Sequence, residues 1–438
     1  MRLCSLTRSE GKGEIMIMQE KRYVLKNKDI PLVWFTAASV GKWDAADVSI
    51  KKNTKITISG INENEARQIG AFFPAGVDEK SLSLWLDDRE SKMKNQDHAP
   101  AVYDQLTSSF GNPILGSLDA GHGLSLNDTL WVIPEGSDWK WIDYSLYRHP
   151  FNAVISHTAF TGCRGDKALA RPVLAPELTT GGTLVKAWSW QDGVPLLKKR
   201  SRPWPDGRSD VVAEYYAAQV AEAMGLPHIE YELEEYTDPE ASAAEPVCCC
   251  RLFTSERIGL CPACDVFCRK QVKLDFWTLN FPKGQRNLAH AYGWNAYADM
   301  MIYDAVIGNV DRHFANVRYL MDNDTGALLS PAPLFDNGHS LLCDALPQDL
   351  EEGMDDLLAA YHFANGRFLN FDVEAALFTE NRHMPILKRL LNFRFKPHPL
   401  CAISDFALDC MNQSVQRRAA RIIYIASNPE LKSYLTGD

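Results

Sequence analysis

The sequence predicts an α+β protein: a mixed α/β N-terminal region, then a strand-rich segment, then a helical C-terminal half. Three observations predict it. Short apolar runs with a two-residue period dominate the middle of the chain, apolar residues recur at helical spacing from Leu288 onward, and both patterns occur before residue 150. A chain of 438 residues is long enough for about two to three domains. They are expected at 1–150, 151–270 and 271–438. Hydrophobic residues make up 46% and charged residues 23%, which supports a large core rather than disorder.

In the N-terminal region the strand candidates are Arg22 to Leu25, Pro31 to Phe35, Thr54 to Ser59 and Thr129 to Ile133, with one helical segment around Glu63 to Gly70. The aromatic group Trp139, Trp141, Tyr144 and Tyr147 reads as packing against the next domain rather than a ligand cage. Met16 and Met18 are alternative starts. The strand-rich segment carries a run to Trp190, the turn Gln191-Asp192-Gly193 and a return strand from Val194 to Lys199. Asp-Gly between two such runs is a strong hairpin signal. A helix follows from Ser209 or Asp210 to Met224, with Gly225 at its stop and Pro227 beyond. Further strands are expected at Glu230 to Tyr236 and Val247 to Thr254, joined by a loop at 237–246. The helical half holds Leu288 to Gly308, Asp349 to His362, Asp372 to Phe378, Pro385 to Leu391 and Ala402 to Ser427.

The net charge of −10 argues against a broad nucleic-acid surface, which needs clustered basic residues. No apolar run approaches the ~20 residues that cross a bilayer, and the first residues lack the apolar core of a signal peptide. A cytoplasmic chain without membrane contact is expected. Six of the eleven cysteines lie between Cys248 and Cys268. Cys261-Pro-Ala-Cys264 has the C-x2-C spacing of a zinc knuckle, but a second ligand pair at the usual distance is missing. Cys248 to Cys250 fall in an apolar run, where cysteine behaves as a small hydrophobe.

The chemistry concentrates between 304 and 342. Asp311-Arg-His-Phe-Ala-Asn316 places an Asn five positions after an Asp, and Asp336-Asn-Gly338 follows twenty residues later. Protein kinases need this pair of elements, a catalytic-loop Asp with its Asn and a metal-binding Asp on a D-x-G turn. Phosphoryl transfer is catalysed by positioning and charge neutralisation. One carboxylate orients the attacking hydroxyl and accepts its proton, the role expected of Asp311. Magnesium prefers hard oxygen ligands, which Asn316 and Asp336 supply. A hairpin with its turn at Asp322-Asn-Asp-Thr-Gly326 would bring the two segments together. Upstream, a strand lysine and a helix carboxylate are required, and Lys198 with Glu214 is the expected pair. Lys199 and Lys186 stand as alternatives, because alternation alone does not say which lysine faces the cleft. Thr180-Gly181-Gly182-Thr183 is the expected glycine-bearing loop over the phosphates.

These residues resemble the HipA-like kinases, a bacterial branch of the protein-kinase-like superfamily. The resemblance rests on Thr180 to Thr183 with Lys186, the Leu197-Lys198 strand end, Glu214, Gly308 to Asn316 and Leu334 to Leu341. The Asp-Arg-His-x-x-Asn form is also similar to that of phosphatidylinositol kinases. The resemblance implies a bilobal protein-kinase-like fold and an enzyme that uses ATP and Mg2+ to phosphorylate Ser or Thr of a protein, itself included. It implies Asp311 as base, Lys198, His313 and the Thr180–Thr183 loop at the nucleotide, and Asn316 and Asp336 on metal. An antitoxin-like regulatory partner is a further implication, with any DNA contact made by that partner. The alternatives are a lipid or small-molecule kinase on the same fold and a non-catalytic nucleotide-binding subunit.

Overall fold

In a computed structural model the fold is α+β, with antiparallel sheets and many helices. The structure describes residues 15–44, 49–110, 116–167, 169–237, 244–362 and 369–437. The chain divides into two compact units. The first is Met1–Pro195 with Thr254–Gly259 and Asp322–Ala327; the second is Leu196–Phe253, Leu260–Met321 and Leu328–Asp438.

The first unit is built on a four-stranded sheet in the order β3-β2-β1-β4. Its strands are β1 (Ile15–Asn27), β2 (Ile30–Asp44), β3 (Ser49–Ile61) and β4 (Leu130–Pro134). Three of the four strand candidates of this region fall inside them, the fourth, Thr129 to Ile133, enters β4 at Leu130, and the expected helical segment is a 3-10 turn at Glu63–Glu65 followed by a helix at Ala66–Phe72. Tyr23, Leu25, Val33, Phe35 and Ile56 pack with Ile69, Phe73, Leu82 and Leu86 in one core. The helix Glu79–Ser91, which turns Leu82 and Leu86 into that core, starts on a capping box in which Asp78 and Ser81 satisfy each other's backbone N–H groups. The aromatic group, expected to pack against the next domain, makes contacts within the first unit: Trp139 meets Tyr144, and Trp141 donates its Nε1–H to Glu256 at 2.9 Å.

Strand β5 (Val185–Gln191) also belongs to this unit, and the turn after it takes Asp192 and Gly193 to φ 52° and 77°. Two successive positive φ values are the signature of the tight hairpin turn that Asp-Gly favours. Strand β6 (Val194–Arg200) runs on from it, and the second unit begins within that strand.

In the second unit β6 pairs antiparallel with β8 (Ala244–Arg251), which pairs with β7 (Glu232–Thr237). Of the loop expected at 237–246, residues 238–243 lie outside the described residues. The helix Asp210–Met224 starts where Ser209 accepts the Val212 N–H and stops at Gly225, φ 72°. A three-stranded sheet contains β9 (Ile258–Pro262), β10 (Arg318–Asp322) and β11 (Leu328–Pro331). Strands β10 and β11 form the expected hairpin, with Tyr319 opposite Pro331 and Leu320 opposite Ser330.

The helical remainder differs from expectation at two glycines. The segment expected as one helix from Leu288 to Gly308 is two, Pro282–Tyr292 and Trp294–Ile307, broken at Gly293 with φ 118°. The segment from Asp349 to His362 is likewise a 3-10 turn at Pro347–Glu351 and a helix at Met354–Ala360, parted at Gly353 with φ 110°. That backbone region is open to glycine and hostile to residues with a Cβ. No helix among the described residues is long and apolar enough to cross a membrane.

Candidate active site

Lys199 is 5% exposed and projects from the inner side of β6. Its Nζ donates to Glu214 Oε1 at 2.5 Å and to Asp336 Oδ1 at 2.7 Å. The other Glu214 oxygen accepts the backbone N–H of Asn337 at 2.8 Å, so one carboxylate holds both the strand lysine and the Asp336 turn. Burial works to lower the Lys199 pKa, but the carboxylates of Asp336 and Glu214 outweigh it and hold the ammonium charged.

The lysine expected to pair with Glu214 was Lys198, and here the structure differs. Lys198 donates to Glu234 of β7, and Lys199 makes the Glu214 contact. Adjacent residues on a strand point to opposite faces, so a shift of one position exchanges the buried lysine for the surface one. The alternative Lys186 sits in the first unit, where its Nζ donates to the Gly181 carbonyl at 2.7 Å.

The second segment leaves the helix Trp294–Ile307 at Gly308, φ 64°. Asp311 N–H donates to Asn309 Oδ1 at 3.1 Å, which pins the residue while its side chain stays 35% exposed. His313 Nε2 lies 3.7 Å from Asp311 Oδ2. Asn316 ends a 3-10 turn and is 8% exposed; its Nδ2 is buried with no partner among the described residues.

Between these segments runs a feature that sequence reading passed over. The side chains of Arg312 and Asp304 are both 0% exposed and form an ion pair. Arg312 Nε lies 3.0 Å from Asp304 Oδ2, and Nη2 lies 3.0 Å from Asp304 Oδ1. The same guanidinium donates to the Phe335 carbonyl at 2.8 Å and to Asn337 Oδ1 at 2.5 Å. One buried side chain thus ties the Asp311 loop to the residues on either side of Asp336. Burial opposes the Arg312 charge, but Asp304 overrides it and the net pKa direction is upward. The signal available in sequence was Asp304, a carboxylate inside the apolar stripe of a helix, where an unpaired charge is not tolerated.

Asp336 itself sits at φ 57°, a left-handed conformation rare outside glycine, and its N–H donates to the Tyr231 hydroxyl at 3.2 Å. Strain of this kind persists where the surroundings over-determine it and clusters at functional sites. Gly338 follows because a Cβ there would stand 3.0 Å from the Asp210 carbonyl.

Beside this turn, His339 hydrogen-bonds Asp344, with ring Nδ1 3.1 Å from Oδ1. That bond raises the imidazole pKa from its ordinary 6.5 to about 9, against the effect of burial and with help from Asp210. A folded pKa above the unfolded one contributes stability that is fully present below 6.5 and lost as pH rises through 9. His339→Ala is therefore expected to flatten the decline of unfolding free energy between those values; an unchanged slope would assign it elsewhere. Asp210, His339, Cys343 and Asp344 bring their ligand atoms within 4.8 Å of one another. The cysteines between 248 and 268 form no such group among the described residues: Cys248, Cys249 and Cys261 are buried while Cys264 and Cys268 are exposed.

The expected glycine-bearing loop belongs to the first unit. Thr180 Oγ1 donates to the Pro176 carbonyl at 2.8 Å and accepts the Trp188 indole N–H at 2.9 Å. Gly182 has φ 98°, and a Cβ there would meet Lys186 Nζ at 2.1 Å. Thr183 follows in the bend that leads into β5.

Compared with known protein families and with curated proteins, the chain finds no match. Among solved structures it is similar to the Helicobacter pylori proinflammatory kinase CtkA, at 18% identity and a TM-score of 0.42, over 56% of this chain and 91% of that one. It is also similar to a chain of the Shewanella oneidensis MR-1 toxin-antitoxin complex of HipA, HipB and operator DNA, at 10% identity and a TM-score of 0.45, over 93% of this chain and 99% of that one.

Proposed function

We propose that the protein is an ATP- and magnesium-dependent phosphotransferase that phosphorylates Ser or Thr of a protein. The observation that carries this reading is Lys199 held between Glu214 and Asp336. A buried lysine clamped by a helix carboxylate is the arrangement that presents a fixed cation to nucleotide phosphates.

The donor set fits magnesium. Asp336 and Asn316 carry the hard oxygens that this ion prefers, a carboxylate and an amide carbonyl. One positive charge on Lys199 against two negative charges on Glu214 and Asp336 leaves the cluster at −1, which favours a cation. When bound, the metal supplies neutralisation of the phosphate charge that builds up in transfer.

The chain's own residues do the rest. Lys199 orients the phosphates. Asp311, partly exposed and pinned by Asn309, holds the acceptor hydroxyl and takes its proton. Arg312 keeps the Asp311 loop in register with Asp336, and preorganisation of this kind supplies much of the rate in positional catalysis. A cytoplasmic location, a protein acceptor and a regulatory partner of antitoxin type belong to the same proposal, and the acceptor and the partner rest on the sequence resemblance.

Two variants test it. Asp336→Ala is expected to lose magnesium-dependent ATP binding by calorimetry while keeping its circular dichroism spectrum; ordinary ATP affinity in that variant would remove Asp336 from the metal. Asp311→Asn is expected to bind ATP normally and to lose about 10²–10⁴ in transfer from labelled ATP, the usual contribution of a general base. Unchanged turnover would take Asp311 out of that role.

A further inference from the structure

The second unit contains a cavity of about 560 Å³, apart from the residues assigned above. Small-molecule sites are commonly roughly 300–1,000 Å³ and apolar, with a few fixed polar groups. Apolar lining comes from Leu358, Phe371 and Ile422, and three arginines of the helix Asp405–Ala426 also face it: Arg417, Arg418 and Arg421.

Arg418 is the unusual one. It is 7% exposed, and its Nε is buried without a hydrogen-bond partner among the described residues. Nη2 donates to the Tyr361 carbonyl at 2.5 Å, and the guanidinium lies 5.2 Å from the centre of the Phe371 ring. No described carboxylate pairs with it, because Asp372 is taken by Arg421 at 2.7 Å. Burial lowers its pKa to about 10, only partly opposed by Asp372. Residues 363–368, next in sequence to His362, are Phe-Ala-Asn-Gly-Arg-Phe, with no acidic residue among them. A buried cation without a counterion is costly, and such groups are ordinarily paired.

At the rim, Arg417 pairs with Asp355, whose side chain is 88% exposed, and Arg421 pairs with Asp372. Such solvent-facing pairs are weak and exchangeable. The floor abuts the catalytic segment: a Cβ on Gly308, three residues before Asp311, would lie 2.9 Å from the Arg418 guanidinium.

We infer that this cavity is a binding site for a small organic anion, a phosphate or carboxylate on an apolar body, whose charged end meets Arg418 and whose body lies along Leu358, Phe371 and Ile422. The anion supplies the missing counterion, and Arg417 and Arg421 turn from their exposed partners to close on it. The inference does not depend on the proposed phosphotransfer, since the two sets of residues are separate.

The test is calorimetry on the full chain with 1-naphthyl phosphate, inorganic phosphate and 1-naphthol as probes. Naphthyl phosphate is expected to bind once per chain, more tightly than either half-probe, and to remain bound when magnesium and a non-hydrolysable ATP analogue are in excess. Arg418→Gln is expected to weaken it roughly 10- to 100-fold, the range for one charge-assisted hydrogen bond. Should Arg418→Gln fail to fold, Arg417→Gln and Arg421→Gln change exposed side chains and are each expected to weaken binding several-fold. Absence of binding, displacement by the ATP analogue, equal affinity for naphthol, or indifference to all three substitutions would each overturn the inference.

Discussion

Lys199→Met is expected to lower phosphoryl transfer by about 10²–10³-fold, the usual cost of one preorganised electrostatic donor. Lys198→Met, one residue earlier, is expected to stay within about twofold of the unaltered protein, as surface substitutions do. The contrast follows from position. The Lys199 ammonium is buried against two carboxylates, whereas Lys198 shares a partly exposed pair with Glu234 on β7. Lys199→Met leaves Glu214 without its cation, so part of its effect is structural. Lys199→Arg separates the two, since it keeps the charge and the fold while moving the donor. It is expected to retain the far-ultraviolet spectrum and still transfer poorly, because a planar guanidinium does not occupy the place of a compact ammonium. Transfer from labelled ATP at matched folded fraction is the measurement. Loss in Lys198→Met with Lys199→Met active would exchange the two roles.

Arg312→Met is expected to cost about 3–5 kcal/mol of stability, the range for stripping one partner from a buried ion pair. Asp304 would then be a fully buried carboxylate without its guanidinium, a charge that the neutral Asn309 amide, 3.0 Å away, does not offset. Adding Asp304→Leu to Arg312→Met is expected to restore most of that loss, because an apolar pair fills similar space without an orphaned charge. Urea denaturation of both variants measures this through the midpoint. A single variant that costs less than about 1 kcal/mol would show that the pair is solvated. The restored double variant is still expected to transfer poorly, because Phe335 and Asn337 lose the guanidinium that fixes the Asp336 turn.

The α+β class was legible because two-residue and 3.6-residue periods separate along the chain. Local punctuation was equally plain. Ser209 and Gly225 bracket a helix as their chemistry demands, and Asp192-Gly193 makes the tight turn that Asp-Gly favours. The hairpin between Asn316 and Asp336 was readable from its turn residues, and β10 and β11 form it. Gly293 and Gly353 are local signals of the opposite kind: the apolar period runs across both, yet both take φ values that end a helix.

The choice of lysine was of another kind. Leu196-Leu197-Lys198-Lys199 is apolar on both faces and then charged on both, so its alternation carries no phase. What selects Lys199 is the helix Asp210–Met224, which brings Glu214 to one face of the sheet while β7 brings Glu234 to Lys198. Arg312 stood in the motif as a neighbour of Asp311, and only packing against Asp304 makes it the link between two segments. Short-range chemistry (turns, caps, periodicity and the order of Asp311, Asn316 and Asp336) is written in neighbouring residues, so the sequence alone determined it. Which lysine is buried, what a buried charge pairs with and which side chains line a cavity depend on groups far apart in the chain. Those matters were decided only when tertiary packing excluded water and left each buried charge to find its partner.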